Sequence, residues 1–177
     1  LNEKIYALTP EMTVIADEAQ VHDIAGIMGG QHSGCSDATT EVLIEIAYFT
    51  PERIARTGQP LALTSDARSR FERGVDPGFM GYGLELVSAL ILEICGGVAS
   101  ELVKAGEPPL EPRVFGYDPA RCASLGGIDV DGEEQKAILT RLGFTVDPHW
   151  QVTIPTWRRD IDGSADLVEE IVRMVGL

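Results

Sequence analysis

Short apolar runs separated by turn residues dominate the first part of the chain. "TVIAD", "DIAGIM" and "VLIEIAYF" have the length and β-branched content of strands, with "EAQVH" and the Gly/Ser/Thr-rich "GGQHSGCSDATTE" as connections. Thr50-Pro51 and Asp76-Pro77 each set a capping side chain before a proline, whose missing N–H costs nothing at the first helical position. The second pair predicts a long helix with Leu84, Val87, Leu90, Ile91 and Ile94 on one stripe, stopped by Gly96-Gly97.

"KAGEPPLEPR", residues 104 to 113, carries three prolines and alternates in polarity, which places a boundary between two domains, 1–107 and 108–177. Beyond it, "DGEEQKAILTRLGF" predicts a helix capped by Asp131, with Glu134 at the capping-box position. "FTVDPHWQVTIPTW" predicts a hairpin around Asp147-Pro148, and residues 164 to 175 a last helix starting at Ser164. The expected fold is α+β: a mixed sheet-and-helix domain followed by a small winged-helix-like one.

The composition narrows the function classes. With 177 residues and 44% hydrophobic content the chain can build real cores. Fourteen basic against twenty-eight acidic side chains give a net charge of -14, a poor basis for holding polyanionic nucleic acid except through a local patch or a partner. A free-standing winged-helix DNA binder is disfavoured on that ground. Cys35, Cys95 and Cys122 are odd in number and far apart, which suggests neither a disulfide framework nor a metal knuckle and fits a reducing cytoplasm. The longest apolar stretch, "LELVSALILEIC", carries two glutamates and is too short to span a bilayer. An opening without methionine and an end at "MVGL" read as a piece of a longer chain.

Four stretches carry candidate chemistry. In "VLIEIAYF" both alternating faces are apolar and Glu45 is the only charge, so its carboxylate needs a partner or a purpose. Arg53, Arg56, Arg68 or Arg70 would supply a structural ion pair, and that reading stays open beside a functional one. "GIMGGQHSG" lets the backbone approach a ligand at Gly26, Gly29, Gly30 and Gly34 but matches no phosphate loop; a wide hairpin loop with an exposed His32 accounts for it equally. "TSDARSRFERGVDP" puts Arg70 and Arg73 on one side of a helix, suited either to a phosphate backbone or to intrahelical ion pairs. In "WRRDIDGSADLVEE" a helical wheel sets Glu169 and Glu170 within about 60° of Asp166, with Val168, Ile171, Val172 and Val175 opposite. Three carboxylates on one face, with Asp160 from the preceding loop, fit a divalent cation or a solvated acidic surface.

"IAGIMGGQHSGCSDATTEVLIEIAYFTPERI", "LTSDARSRFERGVDP" and "IPTWRRDIDGSADLVEEIVRMVG", in that order, resemble the beta subunit of bacterial phenylalanyl-tRNA synthetases over nearly the whole chain. The resemblance implies that residues 1–107 are most of an editing module, which hydrolyses tyrosine wrongly attached to phenylalanine tRNA. Residues 108–177 would be the winged-helix-like fifth module. It places Glu45 where the family reads the tyrosine hydroxyl, Gly29 and Ala67 where small residues keep the pocket open, and Ser65 where many relatives carry threonine. A phenylalanine pocket rejects an isostere that merely adds a hydroxyl by only about 10², so a second site that binds the hydroxyl is useful.

The resemblance also implies that Asp160, Asp166, Glu169 and Glu170 hold a Mg²⁺ shared with an alpha subunit. That subunit performs aminoacylation and uses the ATP, which this chain does not bind. Arg158 and Arg159 would order the approach loop or contact the partner. The implied partners are the alpha subunit, in an alpha2beta2 heterotetramer, and tRNA(Phe). The family's editing histidine falls before Leu1, so the isolated chain is expected to be inactive; no Ser/His/Asp set is evident to replace it. The rival expectation is a non-catalytic scaffold that assembles subunits and orients tRNA.

Overall fold

The computed structural model describes residues 2–176. The chain divides into two compact units, Leu1–Pro108 and Pro109–Leu177, and the described residues form small antiparallel sheets and six α-helices.

The first unit opens with three short strands, β1 (Val14–Ala16), β2 (Val21–Ile24) and β3 (Met28–Gly29), paired antiparallel in that order. "DIAGIM" is thus a tight hairpin and not one strand. β2 begins at Val21, inside the stretch expected to connect strands, and the chain turns at Gly26 before Met28 pairs back to Ile24. Gly26 has φ +66, a left-handed conformation that favours glycine.

Helices α1 (Pro51–Gly58), α2 (Asp66–Phe71) and α3 (Met80–Cys95) follow. Pro51 occupies the first turn of α1 as expected, but α3 starts three residues after Pro77 because the Asp76 carboxylate accepts the Gly78 N–H at 2.8 Å and closes a separate turn. α2 is capped by Ser65, whose Oγ accepts the Arg68 N–H at 3.0 Å. The core of this unit is small: Ile24, Ile27, Ile54 and Leu63, with Tyr6, Met28, Phe49, Leu61 and Phe71 packed on it.

The long helix forms and ends at Gly96 as expected, but the strand does not. "VLIEIAYF" forms no strand, and Val42 and Leu43 stand 53% and 93% exposed. On the α3 stripe, Leu90 and Ile94 are exposed and only Gly83 of the helix is fully buried. A strand needs a neighbour for its N–H and C=O groups and a helix stripe needs a surface to cover it. The described residues supply no partner strand for residues 42–49 and cover the α3 stripe only in part, at Leu84, Val87 and Ile91.

The second unit is better closed. Strands β4 (Arg113–Gly116), β5 (Thr145–Val146) and β6 (Gln151–Ile154) form an antiparallel sheet in the order β4-β6-β5. Helices α4 (Ala120–Gly126), α5 (Gly132–Arg141) and α6 (Ser164–Val175) accompany it, and α6 packs against both α4 and α5. The expected cap, hairpin and last helix are present: Asp131 accepts the Glu133 N–H at 2.9 Å, and β5 and β6 flank the Asp147 turn. β4 and α4 have no counterpart among the expected elements, since "RVFG" and "ARCASLG" are too short for periodicity to register. Gly126 lets α4 and α6 meet closely, because a Cβ there would lie 2.7 Å from Val172. The core runs from Cys122 and Ile138 through Phe144 and Val152 to Leu167 and Ile171.

One polar group is built into this core. The Tyr117 hydroxyl donates to Gln135 Oε1 at 2.6 Å, and Gln135 Nε2 donates to the Val130 carbonyl at 2.8 Å. Gln135 is 2% exposed, so water cannot replace a missing partner. Among the described residues no helix is long and apolar enough to cross a membrane.

The Tyr117→Phe variant of the chain should be less stable by about 1–3 kcal/mol in chemical denaturation, because it strands a buried amide oxygen. A change within about 0.3 kcal/mol would show that the bond is not needed.

Candidate functional site

In the first unit the β2–β3 hairpin, residues 45–49 and α2 enclose a cavity of about 440 Å³. The hairpin supplies Asp23 and Gly29, the irregular segment supplies Glu45, and α2 supplies Ala67 and Phe71. Gly26 belongs to the same wall: a Cβ there would lie 3.0 Å from Phe49 and 3.1 Å from Phe71, so glycine lets the turn rest on that aromatic pair.

Of the four residues expected in this pocket, Glu45, Gly29 and Ala67 line it. Ser65 stands behind the wall instead. Its Oγ donates to the Ile27 carbonyl at 2.6 Å while accepting from the Arg68 N–H, which ties the start of α2 to the hairpin turn and fixes where Ala67 sits. A serine does this as well as a threonine, since only the hydroxyl is used.

No arginine answers Glu45 among the described residues, so the ion-pair reading of this residue finds no support. Arg68, one of the expected partners, bonds to Glu72 at 3.0 Å and to the Leu63 carbonyl at 2.5 Å. Glu45 is exposed overall, but the cavity partly desolvates its carboxyl and raises it above its ordinary value, with the negative charge of Asp23 as a second cause. Asp23 is itself a hinge of the site: its Oδ1 accepts the Gly30 N–H at 2.9 Å, and it pairs with Gly29 across the hairpin. Sequence reasoning missed Asp23, though a carboxylate in an otherwise apolar run was a signal.

The rest of the glycine loop resolves differently. Gly30 serves the protein and not a ligand, since a Cβ there would lie 2.0 Å from the His22 carbonyl oxygen. His32 is not isolated: its Nε2 lies 3.2 Å from His22 Nδ1, and His22 Nε2 lies 2.9 Å from Asp17. Asp17 is lowered to about 2, chiefly by the His22 hydrogen bond and then by backbone N–H groups. His22 and His32 also line another cavity, together with the N-terminal residues Asn2 and Tyr6.

In the second unit the acidic run takes an arrangement the helical wheel did not anticipate. Glu170 lies on the buried side of α6, beside Leu167 and Ile171, and is 7% exposed. Arg158 explains how this is tolerated: its guanidinium donates to Glu170 at 3.0 Å and to Asp160 at 2.8 and 2.6 Å, over the Phe144 ring. Arg173 adds a bond to Glu170 at 2.6 Å. Burial by itself raises the Glu170 carboxyl, but the bonds and charges of the two arginines outweigh it and hold it below its ordinary value. Asp166 faces neither. It accepts the N–H groups of Asp162 and Gly163 at 2.8 and 2.9 Å and so caps α6 from its third position. Glu169 is exposed. Arg113 reaches from β4 to the Ile161 carbonyl at 2.9 Å and to the Arg158 carbonyl, which shapes the loop carrying Arg158.

Asp160, Asp166, Glu169 and Glu170 are therefore not gathered into a cation site. Among the described residues no three potential ligands converge on one point. Two of the four carboxylates already share an arginine, and a third is used by the backbone. As arranged, these residues do not fit the expected Mg²⁺.

Comparison with known proteins finds two family domains in the chain. The family profile for the B3/4 domain matches residues 1–96, and that for the tRNA synthetase B5 domain matches residues 116–177. The phenylalanine–tRNA ligase beta subunit of Novosphingobium aromaticivorans is 66% identical over all of the chain. Those of Zymomonas mobilis and Nitrobacter winogradskyi are 48% and 51% identical over the same extent. In each case the chain spans 22% of the relative's length.

Two stability measurements probe these geometries. A carboxyl raised by folding binds its proton more readily in the folded state, so Glu45 weakens the fold as pH rises from the unfolded value through the raised one. Glu45→Gln should therefore gain in melting temperature over the parent chain at about pH 7 relative to about pH 3; an offset independent of pH would contradict the desolvated setting. Arg158→Ala should lower stability by about 3 kcal/mol at neutral pH, because it leaves Glu170 buried with one exposed partner. The deficit should shrink as acid protonates Glu170, whose lowered carboxyl favours the folded chain above the ordinary glutamate range. Equal deficits at about pH 3 and about pH 7 would rule out the ion pair as the cause.

Proposed function

The chain belongs to the B3/4 domain family, with a tRNA synthetase B5 domain after it, and on that basis we propose that its first unit is the hydrolytic editing site of a phenylalanine–tRNA ligase beta subunit. The observation that carries this reading is Glu45: a carboxyl with no cationic partner among the described residues, exposed to solvent yet lining a cavity of largely apolar side chains and glycine, where partial desolvation raises it.

The chemistry follows from that setting. A carboxylate in such a cavity accepts the hydrogen bond of a phenol, and phenylalanine would leave it desolvated and unsatisfied. The site therefore takes the amino acid that a synthetic pocket cannot exclude. Gly29 and Ala67 leave room for the ring, and Phe49 and Phe71 offer aromatic edges to it. Asp23 accepts the Gly30 N–H beside Gly29 and adds its negative charge to the desolvation that raises Glu45. These residues bind, select and orient a tyrosyl ester for attack by water; none of the residues lining the cavity is a serine, threonine, cysteine or lysine that could form a covalent intermediate.

Residues 1–107 are read as a truncated editing domain and residues 108–177 as a winged-helix-like module. In the same reading the whole subunit works in the cytoplasm with an alpha subunit, in an alpha2beta2 assembly that binds tRNA(Phe) and uses ATP. A Mg²⁺ on the acidic run is left out, because Arg158 engages Asp160 and Glu170, the backbone at the start of α6 engages Asp166, and only the exposed Glu169 is left. The scaffold reading draws on one observation, the uncovered apolar groups of residues 42–43 and α3, which suit assembly with further protein.

In the full-length enzyme, Glu45→Ala should reduce hydrolysis of tyrosyl-tRNA(Phe) by about 10²-fold or more while phenylalanylation persists. Unchanged hydrolysis would sink the editing reading and leave the scaffold.

A further inference from the structure

We propose that Arg70 and Arg73 form a phosphate-binding site that holds the backbone of the RNA whose acylated end enters the Glu45 cavity. This rests on the editing reading above.

α2 is the partition between two cavities. Its Ala67 and Phe71, one turn apart, face the Glu45 cavity. Asp66, Ser69 and Arg70, on another face of the helix, and Arg73 in the turn just past its end line a second cavity of about 420 Å³. Val75 borders both, so the two adjoin at the end of the helix.

The cations of this second cavity are available. Arg68, on the same short helix, is consumed by Glu72 and the Leu63 carbonyl and lies against Gly58 of α1, where a Cβ would come within 2.2 Å of its Nε. Arg70 and Arg73 are exposed and have no hydrogen bond or ion pair among the described residues. Intrahelical ion pairs, the alternative use of these arginines, are absent even though Asp66 is four residues from Arg70. Two unsatisfied guanidiniums flanking a concavity present a forked donor set that matches phosphate oxygens.

The charge of the whole chain sharpens the point. At -14 it repels a polyanion, so an RNA end can be brought to this unit only where positive charge is local. A site one helix away from the discriminating carboxylate would anchor the phosphodiester while the ester crosses into the first cavity. Asp66 also lines the second cavity, and its carboxylate works against the anion.

The test uses the full-length subunit assembled with its partner and misacylated tRNA as substrate. Arg70→Ala/Arg73→Ala should raise KM for hydrolysis about tenfold, with kcat nearly unchanged. The dependence of log KM on log salt should become shallower by about 0.7 for each phosphate no longer neutralised. Lysine at both positions should restore the salt slope, and Asp66→Asn should lower KM. A fall in kcat with KM and salt slope unchanged would overturn the proposal, as would no effect at all in an enzyme that Glu45→Ala disables. If Glu45→Ala leaves hydrolysis intact, it is the editing reading that has failed. The substituted side chains are exposed, and melting temperatures matched to the parent separate impaired binding from impaired folding.

Discussion

A carboxylate removed from water must be met by a cation or by hydrogen bonds, or it stays costly and reactive toward any donor that arrives. The two units answer this constraint in opposite ways. In the second, Glu170 sinks into the helix interface because Arg158 goes with it and Arg173 reaches it from the surface, and the Arg158 loop is braced by Arg113 from β4. The charge there serves to hold α6 and its approach loop together. In the first, Glu45 stays exposed at the cavity, meets no cation among the described residues and is only partly desolvated, with the charge of Asp23 nearby; in the editing role proposed above it is the acceptor for a group entering the cavity. One carboxylate is structural and the other is not, although both sit among apolar residues in the sequence.

The same division of labour appears on α2. This short helix is tied at its start by Ser65 to the hairpin turn, and Arg68 ties it to the Leu63 carbonyl just beyond α1, so its orientation is fixed by polar bonds and not by a deep core. With only four fully buried apolar side chains in this unit's core cluster, such ties carry much of the site's geometry. A fixed helix with two lined faces separates an apolar, carboxylate-bearing cavity from an arginine-bearing one. That separation suits a substrate with an uncharged end and an anionic body.

The second unit illustrates where periodicity succeeds and where it stops. Its last helix, hairpin and Asp131 cap are legible, because caps and turn residues act over three or four positions. The four-residue strand β4 and the seven-residue helix α4 are not, being shorter than the window in which a pattern can repeat. On α6 the wheel correctly separates two sides but assigns Glu170 to solvent, since a wheel knows nothing of an arginine twelve residues upstream. In the first unit "VLIEIAYF" carries a strong strand signal, yet apolarity becomes a strand only when a neighbouring strand completes it, whereas α3 closes its own hydrogen bonds and forms.

By itself the sequence determined the two-domain division, the helix starts at Pro51, Gly132 and Ser164, and the family likeness that singled out Glu45, Gly29 and Ala67. These rest on local chemistry or on long motifs, both of which survive without coordinates. Only the tertiary structure decided that Glu45 meets no cation among the described residues, that Ser65 works from behind the wall, and that Asp23 belongs to the site. It likewise gave Asp160 and Glu170 to Arg158 and Asp166 to the α6 backbone. Pairing is settled by which groups meet in space, and side chains from distant positions compete for the same carboxylate in ways that spacing along the chain does not encode.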